Sequence, residues 1–119
     1  MNSPIRIASR RAYFEALTEA RREVHRSWTA EPKNPAWPFA ARLLDTMADQ
    51  TAHGREPTRE ERRAQKLGAL VDRELEPAPT EEAAALNQLL KAVNLYFIVW
   101  PEDGVDPEEM PEDEFLARL

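Results

Sequence analysis

Two histidines, His25 and His53, and three serines, Ser3, Ser9 and Ser27, are the side chains of this sequence best suited to move a proton or attack a carbonyl. Their spacing builds nothing from those abilities. The histidines fall on separate predicted helices with no HExxH between them, and no GxSxG surrounds a serine. Paired ExxH ligands of the ferritin-like kind are missing too. The absence of cysteine removes disulfides, thiolate metal sites and thiol nucleophiles together. Three glycines, Gly54, Gly68 and Gly104, are too few for a loop that cradles phosphate. His53, just ahead of Gly54, reads as a cation at a helix C-terminus, and His25, beside Val24 and Trp28, as a half-buried side chain. The expectation is a protein with no catalytic residues, no cofactor and no metal.

The elements around these residues read as helices throughout. Thr80–Trp100 dominates, with Thr80 as N-cap, Glu81 and Glu82 in the first turn, and Pro101 as the stop. Its apolar positions Leu86, Leu89, Leu90, Val93, Phe97 and Trp100 keep helical spacing. From Leu95 to Trp100 no polar side remains, so the last two turns need cover all round. At about 1.5 Å per residue this helix is roughly 30 Å long, enough to serve as the central strut of a small domain.

The first helix is expected to start at Ser3 and Pro4 and run to about Trp28, on a stripe of Ile7, Phe14, Leu17, Val24 and Trp28 broken by Arg21 and widened by Tyr13, Ala16 and Ala20. Asn34 and Pro35 open the second, which presents Trp37, Ala40, Leu43, Leu44, Met47 and Thr51 and stops at Gly54. Thr58 and Glu61 form a capping box for a third helix burying Ala64, Leu67, Leu70, Val71 and Leu75. Gly68 marks a place where another helix approaches closely. Short links imply antiparallel neighbours. The predicted fold is all-α, a four-helix antiparallel bundle over residues 1–101 with an acidic C-terminal extension over 102–119, in which Asp113–Leu119 has the apolar content to dock as one turn.

Charge is unevenly shared. The net of −6 combines residues 1–66, with 13 Lys/Arg against 9 Asp/Glu, and residues 67–119, with 3 against 13. Eight acids crowd the last 18 residues, opposed by Arg118 alone. That balance argues against nucleic acid, which needs cations to displace counterions. The basic run Arg59, Arg62, Arg63 and Lys66 still permits an alternative, a small helix-turn-helix DNA-binding regulator or antitoxin. No stretch approaches about 18 apolar residues, so nothing is expected to span a membrane. The N-terminus lacks the apolar run of a signal peptide, and a cytoplasmic location is expected. Aromatic residues running into the acids make the composition of a protein-binding patch for a basic partner.

Five stretches carry a resemblance: Ser3-Pro4-Ile5, Asn34-Pro35-Ala36-Trp37, Leu67-Gly68-Ala69-Leu70-Val71, Glu74-Leu75, and a leucine-rich helix ending in Tyr96-Phe97. In these the chain resembles the small all-helical immunity proteins of type VI secretion effectors, antidotes of NAD(P)-glycohydrolase-type interbacterial toxins. The first helix looks longer than in that family and the acidic extension more pronounced. The resemblance implies a protein that binds a toxin domain and occludes its active site. The partner-binding residues expected on this reading are Trp37, Tyr96, Trp100, Glu102, Asp103 and Asp106, with a homodimer left open.

Overall fold

A computed structural model describes residues 5–119. Ser3 and Pro4, the expected start of the first helix, lie outside the described residues. Among the described residues every regular element is a helix: α1 (Arg10–Ala30), α2 (Ala36–Gln50), α3 (Arg59–Ala64), α4 (Leu67–Leu70, widening into a π-helical turn over Val71–Leu75), α5 (Glu81–Val99) and α6 (Glu112–Arg118). The all-α class stands, but the arrangement is three long helices with shorter pieces rather than four continuous ones. None of the described helices is long and apolar enough to cross a membrane.

α1 begins six residues later than Pro4 because Ser9 is the working cap. Its backbone is extended, and its hydroxyl accepts from the Ala12 amide at 3.0 Å. The buried residues are Tyr13, Leu17, Ala20 and Val24, all on the expected face, while Phe14 and Trp28 are half-buried. Arg21 sits at the edge of that face and reaches Asp45 of α2 at 2.9 Å. His25 is exposed, with its ring stacked on Trp28.

Asn34 opens α2 by accepting from the Ala36 amide, and Ala36, Trp37, Ala40, Ala41, Leu44 and Met47 face the core. The chain leaves α2 through a short turn with His53 and Gly54 at positive φ. The capping box forms as expected, the Thr58 amide donating to Glu61 Oε1 at 2.8 Å and the Glu61 amide to Thr58 Oγ1 at 3.1 Å. The expected third helix is then interrupted. Gln65 is extended, and its side-chain oxygen accepts from the amides of Lys66 and Leu67, so that one glutamine ends α3 and caps α4. Ala64 is consequently exposed. Leu67, Leu70, Val71 and Leu75 remain buried.

α5 is central, as its sequence requires, packing against α1, α3, α4 and α6. The Thr80 hydroxyl caps it at the Ala83 amide. At its other end Trp100 falls outside the helix, at φ 44° and ψ 65°. Pro101 disfavours the right-handed helical backbone for the residue before it. The left-handed conformation is costly for a tryptophan, and burial of the whole indole holds it there.

Candidate protein-binding face

Arg10 is the first residue of α1, and its guanidinium turns back across the end of α5. It lies 4.2 Å from the centroid of the Trp100 ring and donates to the Tyr96 hydroxyl at 2.6 Å and to the Pro101 carbonyl. Tyr13 stacks on Tyr96 at 5.2 Å, and Trp100 meets both rings edge-on. Burial pushes the Tyr13 and Tyr96 phenols above the ordinary tyrosine range, and for Tyr96 the neighbouring Arg10 offsets part of that rise. Tyr96 is 0 % exposed and Trp100 1 %. The aromatic end of α5 is therefore interior, and its rings are not available to a partner.

Trp37, at 7 % exposed, belongs to a different part of the core, where its indole N–H donates to Glu31. Asp106, also 7 % exposed, accepts from the Glu108 amide and the Arg6 guanidinium, whose pKa that hydrogen bond raises. Asp103 is exposed, yet one of its oxygens accepts from the Arg10 amide at 2.9 Å, at the positive end of α1. Glu102 is exposed and makes no ion pair among the described residues. Of the six expected partner-binding residues, Tyr96, Trp100 and Asp103 thus meet around Arg10. Trp37 and Asp106 serve the chain's own structure, and Glu102 faces outward.

The acidic segment is fastened to the helices by arginines. Arg62 of α3 donates from Nη1 to Ile98 O at 2.8 Å, Val99 O at 3.3 Å and Arg118 O at 2.6 Å. Arg59 reaches Ala117 O at 3.0 Å, Arg63 reaches Leu119 O at 2.7 Å, and Arg118 returns to Trp100 O at 2.9 Å. These acceptors include the last carbonyls of α5 and α6, which have no partner within their own helices. Burial, and then the positive charge of Arg59, Arg118 and Arg63 nearby, lowers the Arg62 pKa from its usual value. Sequence reasoning missed this role, having offered the α3 cations to DNA. The available signal was that α5 carries no basic residue in its last turn, so its carbonyls needed donors from elsewhere.

Seven carboxylates of this fastened segment, Glu102, Asp103, Glu108, Glu109, Glu112, Asp113 and Glu114, are exposed. Between them lies a depression of about 370 Å³ lined by Pro101, Val105, Met110 and Ala117, with Glu102 and Glu114 contributing negative charge and Arg118, which donates to the Trp100 carbonyl, positive charge. Val105 is 37 % exposed. A hollow with an aliphatic floor and two carboxylates in its wall, its one cation already turned to a carbonyl, suits a long cationic side chain, whose methylenes lie on the aliphatic surface while its head meets the acids. No family model, no curated protein and no solved structure matches this chain.

Proposed function

We propose that the chain is an immunity protein, a cytoplasmic binder without chemistry of its own that occludes the active site of a cognate interbacterial toxin domain. The target class is an NAD(P)-glycohydrolase or a related nucleotide-targeting effector, whose phosphate-binding cleft is basic. The reading rests on one observation, the anchoring of the acidic segment by Arg59, Arg62 and Arg63 to main-chain oxygens. Anchored acids lose little freedom when a basic partner arrives, so more of the interaction energy appears as affinity. Complementary charge also speeds the encounter and rejects partners of the wrong sign. The helix-turn-helix alternative draws no such support, since the same three arginines are committed to carbonyls within the chain.

Co-expression with an NAD(P)-glycohydrolase-type toxin domain, taken from a neighbouring gene, tests the proposal. The expected outcome is restored growth and a stable 1:1 complex. Undiminished toxicity in cells containing soluble protein would overturn it.

A further inference from the structure

Three large apolar side chains are well exposed among the described residues: Phe39, Val105 and Leu116. Val105 belongs to the acidic hollow. Phe39 and Leu116 lie elsewhere, in opposite electrostatic settings.

Phe39, 39 % exposed, stands in the first turn of α2 beside a groove of about 340 Å³. Pro35, Ala36, Ala69 and Leu70 give the groove its apolar lining, and Lys66 and Arg73 give it positive charge. Neither cation forms an ion pair among the described residues. The amide end of α2 adds partial positive charge on the same side, and Glu74 is the one carboxylate of the lining.

Leu116, 58 % exposed, is carried on α6, whose first turn holds Glu112, Asp113 and Glu114. Arg59, Arg62 and Arg63 hold the far end of α6 through the main-chain oxygens of residues 117–119, so this side chain is displayed from a fixed element. One surface is an apolar groove with unpaired cations. The other is an apolar knob among acids. Each is the complement of the other, and the connection of α6 to α3 keeps the knob from folding into its own groove.

We infer that the Phe39 groove is the docking site for Leu116 and α6 of a second copy of this chain, so that copies associate head to tail. The two surfaces differ, so the contact is heterologous and either propagates or closes into a ring. The net charge of −6 on every copy opposes approach at long range, and the contact is small, which makes the association weak and reversible. The inference is independent of any toxin.

Sedimentation equilibrium over a wide concentration range tests it, with circular dichroism to verify folding. The average mass of the native chain is expected to rise above the monomer as concentration increases. Phe39→Glu and Leu116→Glu alter exposed positions, and each is expected to weaken association at least tenfold. Mixed in equal amounts, the two variants are expected to form a heterodimer and nothing longer, because one retains the knob and the other the groove. Lys66→Glu with Arg73→Glu, which leaves every apolar residue in place, is expected to repeat the loss. A native chain that stays monomeric at every concentration would overturn the inference. So would a Leu116→Glu variant that associates like the native chain, or variants that remain apart when mixed.

Discussion

Arg62 on α3 donates to the Ile98 carbonyl at 2.8 Å and to the Arg118 carbonyl at 2.6 Å, so one side chain joins the ends of α5 and α6. Hydrogen bonds from a charged donor contribute about 1.5–3 kcal/mol when lost, since the acceptors are left with no replacement. Arg62→Met is therefore expected to destabilise the fold by about 2 kcal/mol, a fall of roughly 10 °C in the thermal midpoint for a chain of this size. Lysine at this position is expected to recover less than half, because a single ammonium cannot span carbonyls that the planar guanidinium reaches together. Thermal unfolding followed by circular dichroism measures both variants.

Gly68 is held against Asn94. A Cβ built on Gly68 would lie 2.8 Å from Asn94 Nδ2, closer than real Cβ contacts allow. The contacted atom is the tip of a side chain that can swing aside, so Gly68→Ala is expected to be close to neutral, the shift of Asn94 offsetting the better helix propensity of alanine. In an Asn94→Ala background the clash is gone, and the same change is expected to stabilise by roughly 0.5–1 kcal/mol. Denaturant unfolding of the four proteins in this cycle gives the sign directly.

Both tyrosines of the chain, Tyr13 and Tyr96, are buried, and both phenols are raised above their ordinary value of 10.0. A raised pKa in the folded state means that the stability these groups contribute is complete below pH 10 and is lost as pH climbs toward the folded value. Phenolate absorbance at 295 nm is expected to stay flat through pH 10 and to appear only at higher pH, together with unfolding. Titration of half the tyrosine signal near pH 10, with helicity intact, would contradict this.

Glu61 titrates at the other end of the scale. Its pKa is lowered chiefly by the hydrogen bond from the Thr58 amide, then by Arg55. The stability from the capping box is thus present above the ordinary glutamate range, near 4.5, and is lost as pH falls through the lowered value. Hydrogen exchange is expected to show the first turn of α3 opening on acidification before the core does. Glu61→Gln, which still accepts from the Thr58 amide, is expected to remove most of that pH dependence while keeping the turn closed at neutral pH.

Local signals in the chain were legible where one side chain acts on its own neighbours. Thr58 with Glu61 and Thr80 cap as their types and spacing indicate, and Asn34 opens α2 by accepting from the Ala36 amide. Gly68 marks a close approach, and in the apolar run that ends α5 Tyr96, Phe97, Val99 and Trp100 are buried while Leu95 and Ile98 are half-buried. Competition between equal signals was not legible: Ser3 and Ser9 are both fit to cap, and the backbone uses Ser9. Neither glycine nor proline marks the break at Gln65, where a side-chain oxygen does the work. The candidate site was hardest to read. Tyr96 and Trp100 look like binding residues in composition, yet the requirement to cover α5 takes both rings inside. The arginine bonds to residues 98–99 and 117–119 join positions at least 36 apart in sequence and depend on tertiary approach.

On the function proposed, the fastened carboxylates around the Val105 hollow grip a basic partner. Glu102 and Glu114 are exposed, so Glu102→Lys with Glu114→Lys is expected to leave helicity and thermal midpoint nearly unchanged. Titration calorimetry of this variant against the toxin domain is the direct test. Reversing two central charges is expected to weaken binding by about 100-fold or more, since each juxtaposed like charge costs several kcal/mol at a contact. Affinity equal to that of the native chain would contradict the account.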